Sequence, residues 1–276
     1  MKRCQLLFFF VNLILLSNCF AQAPLSCPKS PGYQRVHHIN GYAVRLFPGE
    51  KESATDRCRG SVTLPGARPA IFARGWMLWI DNISGQDINE AGIPDVVFGE
   101  FTGEGNCCFE YTIVSLGKHP AVVRTIRNQL PVRFQTESDG SVSIRAGDGS
   151  FELFLLPRGQ AVIPEVIMRL SGSQLKNISS EHREEYDEKI AKARNELSAA
   201  SLEKFRLSDF HKKMYTDQTE TVKRVLTIVL NYLYSGREKE AWQAFDEMWP
   251  ASDRDRIRNL IEERRNRGLL TQLANP

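Results

Sequence analysis

Basic residues are missing from the stretch of this chain that carries most of its chemistry. Between Gly75 and Gly117 there is no Lys or Arg, yet seven acids fall there: Asp81, Asp87, Glu90, Asp95, Glu100, Glu104 and Glu110. Like charges at that density repel, so the segment calls for a bound cation, a basic partner or basic strands alongside. Arg124, Arg127 and Arg133 lie in segments able to supply the last. Familiar catalytic patterns are missing too. There is no G-x-S-x-G, H-E-x-x-H, G-x-x-x-x-G-K-[ST] or C-x-x-C, which sets aside the common serine hydrolases, zincins, phosphate loops and dithiol redox motifs. The five histidines (His37, His38, His119, His182 and His211) are scattered, without the spacing of a metal site or a general base beside a nucleophile. No run reaches the ~20 apolar residues of a membrane-spanning helix, and no low-complexity segment or internal repeat stands out beyond the first residues.

Those first residues predict an export signal. Lys2 and Arg3 give a positive start, Leu6 to Leu16 is an apolar run broken only by Asn12, and Ala21 is a small residue suited to cleavage. Residues 1–21 are therefore read as a signal peptide and the protein as exported, periplasmic or secreted. Leu16-Ser-Asn-Cys19 also resembles a bacterial lipobox, with Asn18 where that motif has Gly or Ala. Anchoring through a lipidated Cys19 is the alternative, and the only route to the membrane. Setting Lys2 and Arg3 aside lowers the formal charge from +3 to +1. That balance favours neither nucleic acid nor an anionic membrane as partner.

Of six cysteines, four lie beyond the signal: Cys27, Cys58, Cys107 and Cys108. An even number in an exported chain points to two disulfides, and four cysteines allow three connectivities. Neighbouring residues on a strand face opposite ways. The favoured pair is thus Cys27–Cys58, with Cys107 and Cys108 either joined in a strained turn or free.

From residue 24 to about 175, short runs rich in β-branched and aromatic residues alternate with Gly, Pro, Asn and Asp. Asp95–Phe101, Phe109–Leu116, Val132–Gln135, Val142–Arg145, Phe151–Leu156 and Val166–Leu170 are examples. Asp139-Gly140 fits a tight hairpin. After Ser180 the pattern becomes helical. Glu181–Phe205 carries a narrow apolar stripe. Val222, Val225, Leu226, Val229 and Leu233 form a strong helical face, and Trp242, Phe245 and Trp249 form another ending at Pro250. The expected fold is α+β, segregated: an antiparallel β domain, blade- or sandwich-like, over 24–175, then a helical-hairpin domain over 180–270.

One turn stands out. Asp87-Ile-Asn-Glu-Ala-Gly-Ile-Pro-Asp95 places side-chain oxygens at alternate positions, with Gly92 allowing the bend. Hard cations take six to eight oxygens from such carboxylates and from backbone carbonyls. Asp87, Asn89 and Asp95, with the Ile93 carbonyl, are the candidate ligands for calcium. Asp87 to Phe98 resembles the loop and strand of FG-GAP or VCBS-type repeats, which run Asp-x-Asn-x-Asp-Gly-x-x-Asp into an apolar strand. Gly103-Glu-Gly-Asn-Cys107-Cys108-Phe109, Asp148-Gly-Ser-Phe151 and Ile163-Pro-Glu-Val-Ile-Met-Arg169 are similar to later blocks of exported bacterial proteins carrying that loop. The resemblance covers roughly residues 75 to 178. It implies a β-turn-β unit of a blade and calcium at the turn. Here Ala91 replaces the third ligand and Glu90 the middle Gly. Loss of a ligand moves affinity toward the weak extracellular range of about 10⁻⁴ to 10⁻³ M.

These residues point to a non-catalytic binding or interaction protein of the bacterial cell envelope, with a calcium-stiffened turn and a protein or glycan partner. The alternative is a hydrolase of envelope or extracellular glycans working through acids of the 75–117 face, such as a pair among Glu100, Glu104 and Glu110.

Overall fold

A computed structural model describes residues 25–26, 35–49, 57–102, 108–208 and 218–274. After β1 (Leu25–Ser26) the chain forms three successive antiparallel meanders. The first holds β2 (Arg35–Ile39), β3 (Tyr42–Pro48), β4 (Cys58–Thr63) and β5 (Ala70–Gly75). The second holds β6 (Met77–Ile80), β7 (Asp95–Phe101), β8 (Phe109–Ser115) and β9 (Ala121–Asn128), with β1 added beside β6. The third holds β10 (Val132–Thr136), β11 (Val142–Gly147), β12 (Glu165–Ser171) and β13 (Gln174–Asn177). Within each meander every strand pairs with its neighbour in sequence, so apart from β1 each sheet is a local product of hairpins. Helices α1 (Arg183–Asn195), α2 (Ala199–Arg206), α3 (Thr219–Tyr234), α4 (Glu238–Met248), α5 (Arg254–Arg267) and α6 (Leu269–Ala274) follow. The segregated α+β layout expected from the sequence is present.

Side-chain alternation sets the order of layers. On β7, Val96 and Phe98 face the first sheet and join Val44, Leu46 and Val62 in one core. Val97 faces the other way, with Tyr111 and Ile113 of β8, into a second and larger core. Both faces of the middle sheet are thus covered, which is why β7 reads Asp-Val-Val-Phe rather than as an apolar–polar alternation. Phe134 of β10 meets Tyr111 edge-on with centroids 5.7 Å apart, placing that face of the third sheet against the second. The opposite face of the third sheet carries Arg145 and Glu165 and receives α1. Arg145 donates to both oxygens of Glu185 at 2.6 and 2.8 Å, and Tyr186 Oη donates to the Glu165 carbonyl at 2.9 Å. The larger core continues without a break from Val97 through Ile144 and Met168 into Tyr186, Val225, Phe245 and Ile257.

Several expectations need correction. Phe151–Leu156 is not a strand. It is a 3-10 turn over Gly149–Phe151 followed by bends, with Leu153 and Leu155 at φ +62° and +53°. Phe151, Phe154 and Leu156 are buried, so the run is apolar because it plugs the core, and Phe151 meets Phe154 and Tyr234 edge-on. The single helix expected over Glu181–Phe205 is two, because Ser198 accepts from the Ser201 amide and starts α2. Ser179, just before that run, turns its hydroxyl to the third sheet, where it accepts from the Ile167 amide at 2.9 Å. Strands β4, β5 and β13 were not expected. The Trp242–Phe245–Trp249 stripe is core as expected: Phe245 stacks on Trp249 at 5.2 Å, and Trp249 is fully buried.

Candidate functional site

The Asp87–Asp95 turn links β6 to β7. Asp95 opens β7 with no exposed surface, and its Oδ2 accepts from the amides of Ile88 (2.8 Å) and Asn89 (3.1 Å). Asp87 accepts from Ala91 N through Oδ1 (3.0 Å) and from Gly92 N through Oδ2 (2.7 Å). Asn89 Oδ1 adds a contact to Ala91 N at 3.2 Å. Gly92 at φ +75° and Glu90 at +58° make the bend. The structure thus brings Asp87, Asn89 and Asp95 together as expected, with their oxygens directed at backbone amides. The exception is Asp95 Oδ1, buried without a hydrogen bond of normal geometry, whose polar neighbour is Ser115, the residue paired with it across the ladder. Burial raises the Asp95 carboxyl to about 6, against the lowering effect of the Ile88 and Asn89 amides. Ile93 packs beside Gly117. The turn is tied to the third sheet, since Gly172 N donates to the Asn89 carbonyl at 2.8 Å. Among the described residues no group of three or more His, Cys, Asp or Glu is arranged to hold a metal ion.

A second group of acids lies further along the same sheet. Glu100 and Glu110 are cross-strand partners, and Arg127 is the partner of Glu110 on β9. Arg127 Nε donates to Glu110 Oε2 at 2.5 Å, so one of the arginines in the neighbouring strands does offset the acidic field. Arg133 pairs with Glu165 instead, at 2.6 Å. Burial, then the nearby Glu110 charge, raises the Glu100 carboxyl to about 7, with Arg127 opposing. The end of β5 closes over Glu100: a Cβ on Gly75 would stand 1.9 Å from its Oε1. Glu104 lies outside the described residues. Of the cysteines, Cys58 and Cys108 are each disulfide-bonded; Cys27 and Cys107 lie outside the described residues, and the pairing is carried forward as a proposal. Residues 1–21, with Cys19, also lie outside them.

The sequence reading missed a third locus. Two cavities of about 520 and 390 Å³ share Arg127 and Leu269 in their walls. Residues 124 to 129 line them consecutively, and Leu269 and Leu273 of α6 contribute to the remaining walls. Arg124 and Arg127 were read only as partners for acids; their place on the last strand of a sheet depends on pairing that no local pattern reveals. Asp148, in a block singled out by resemblance, proves to be an anchor beside this cavity. It is buried and accepts from Tyr234 Oη (2.6 Å), Leu269 N (3.1 Å) and Ser150 N (3.0 Å), joining the plug, α3 and the start of α6.

No protein-family model matches the chain, and no curated protein or solved structure matches it.

Proposed function

We propose that this chain is an exported binding or interaction protein of the bacterial cell envelope, with a protein or glycan partner. The observation that carries this reading is that the acids of the 75–117 segment have structural work. Asp87 and Asp95 hold their turn through backbone amides, and Glu110 is engaged by Arg127. The turn is then a scaffold element joining two sheets. The three stacked meanders fit the blade-like unit implied by the FG-GAP resemblance, which stands as part of the proposal. Calcium is proposed as a weak addition, with Asp95 Oδ1 and the Ile93 carbonyl as the oxygens offered. An unchanged melting midpoint in millimolar calcium relative to chelator removes it from the reading.

One observation favours the glycan hydrolase as a second reading. Burial raises Glu100 to about 7 beside Glu110, which is paired with Arg127, and a carboxyl raised in that way suits a general-acid role. The two are directly opposed across the β7–β8 ladder, and retaining glycosidases likewise set two carboxyls close together, ~5–5.5 Å apart. Against it, Glu100 is packed under Gly75, leaving little room for a sugar ring.

The deciding experiment incubates the mature chain with purified peptidoglycan and with soluble polysaccharides, following co-sedimentation and release of reducing ends. Binding without release is expected. Release that disappears in Glu100→Gln and Glu110→Gln replaces this reading with the hydrolase. Intact mass of the mature protein distinguishes cleavage after Ala21 from a lipid on Cys19, and non-reducing peptide mapping tests Cys27–Cys58. A chain retained uncleaved in the cytoplasm overturns export.

A further inference from the structure

We infer that the free edge of β9 is a docking site for an extended, acidic segment of a partner protein, which adds to the middle sheet as another strand. The inference rests on the interaction-protein reading above and names its surface.

The first observation is topological. The middle sheet runs β1-β6-β7-β8-β9, so β9 is its last strand, and its ladder is with β8 alone among the described residues. On an edge strand, alternate residues direct their amide and carbonyl groups outward, unpaired by the sheet. The second observation is the shape beside that edge. Residues 124–129 line the two neighbouring cavities one after another, which happens when a strand's backbone edge, and not one of its faces, forms the wall. The five of them that belong to β9, at ~3.3 Å each, give a strand edge roughly 15 Å long, enough for a short docked strand. The opposite wall carries Leu175, Leu269 and Leu273, apolar contacts for alternate side chains of an incoming strand.

Charge selects the occupant. Arg124 has no acidic partner among the described residues. Arg127 is 78% exposed at its side chain despite its bond to Glu110, and Arg267, on the far wall, is 75% exposed although it pairs with Glu263 at 2.7 Å. Buried Asp148 is spent on its three donors. Guarding an edge with basic side chains is a known way to prevent self-association. In a β9-to-β9 pairing these arginines would meet their own copies, which disfavours a second copy of this chain. The same arginines attract a strand bearing Asp or Glu, with apolar residues between them to meet the leucines.

The test selects displayed random eight-residue peptides on the full mature chain and on Arg124→Glu/Arg127→Glu. The expected result is enrichment of peptides that combine acidic with apolar residues on the parent and of basic peptides on the variant. Methylating the alternate backbone amides of a selected peptide is expected to weaken binding at least tenfold. Hydrogen exchange is expected to show new protection within 121–128. Leu273→Glu, on the other wall, is a second variant expected to weaken binding without touching β9. The inference falls if selection enriches nothing, if the reversed variant selects the same peptides, or if backbone methylation has no effect. It also falls if sedimentation shows a concentration-dependent dimer protecting the same amides, which identifies a second copy as occupant. Glycan co-sedimentation without peptide selection removes this inference and leaves the broader reading standing. Peptide docking by a chain that is not exported does the reverse.

Discussion

Single residues carry the turn and the sheet behind it. Asp95 is a buried carboxylate whose Oδ2 serves two amides. Removing it orphans both, and each unsatisfied buried donor costs about 1–3 kcal/mol. Asp95→Ala is therefore expected to lower unfolding free energy by about 2–4 kcal/mol, read as a shift of the urea midpoint at constant slope. Asp87→Ala, on the more exposed side of the turn, is expected to cost about 1 kcal/mol. Equal losses at the two positions would contradict this account. Glu100 gives a pH signature. Its folded pKa, about 7, lies above the ordinary 4.5, raised first by burial and then by Glu110. A carboxyl held more tightly to its proton when folded stabilises most when protonated. Its contribution is thus full below about 4.5 and is lost as pH rises through about 7. Melting temperature is expected to fall across that window, less so in Glu100→Gln and more steeply in Arg127→Ala, which removes the opposing positive charge. A Glu100→Gln profile identical to the parent's would show that this carboxyl does not titrate there. Gly99 makes a related point about packing: a Cβ there would stand 2.2 Å from the Trp79 ring, so the indole lies over a cross-strand glycine.

Among elements, the joint between the third sheet and α1 is the most exposed to test, because it is ionic at its centre. Arg145 is 4% exposed at its side chain, bidentate to Glu185, and within 3.3 Å of Glu137. The Arg145 guanidinium holds Glu185 down to about 2. Removing one partner of a buried pair typically costs ~3–5 kcal/mol, because the other charge is left uncompensated. Glu185 is 41% exposed and reaches solvent. The expected loss for Arg145→Ala is accordingly nearer 2–3 kcal/mol. Arg145→Met with Glu185→Leu is expected to recover most of it, as apolar side chains can replace such a pair. A double-mutant cycle with no coupling would make the joint a matter of packing alone. Little of this joint was legible in the sequence. Arg145 sits in a strand whose apolar residues Val142 and Ile144 were read correctly, but its partner is 40 residues away on a helix. The hairpins were legible where turn chemistry marks them: Gly140 has the expected positive φ, +83°. Strands β4 and β5 were missed because Cys58-Arg-Gly-Ser and Ala70-Ile-Phe-Ala-Arg-Gly carry glycine and charge. In the fold, Gly60 admits the Phe98 ring and Gly75 admits Glu100, contacts that only tertiary structure explains.

Across the whole molecule, the sharp change of composition near Ser180 marks a change of secondary structure, while the core ignores it. The change from strands to helices was legible from period and charge. Their shared interior was not, because it depends on which face of the third sheet the helices cover. One cluster of buried residues runs from Val97 of the middle sheet to Ile261 of α5, and the Phe151–Leu156 plug faces both strands and helices. Asp148 fastens the same junction. A Cβ on Gly268 would lie 2.2 Å from its Oδ2, so the start of α6 packs hard against it. Ending the chain after Ile178 would bare Ile167, Phe151 and Phe154 and strand the Asp148 carboxylate without Tyr234 and Leu269. Fully burying each such large apolar side chain is worth about 1.5–3 kcal/mol, and a domain has only about 5–15 kcal/mol to lose. The fragment is expected to keep β-type far-UV dichroism, lose its near-UV signal and bind a hydrophobic dye, and to unfold without a cooperative transition. The full chain is expected to melt in one transition by all probes. A dispersed amide spectrum from the fragment would show two separately folding units. The trough along β9 would then belong half to each, since β9 comes from one side of the division and Leu269 and Leu273 from the other.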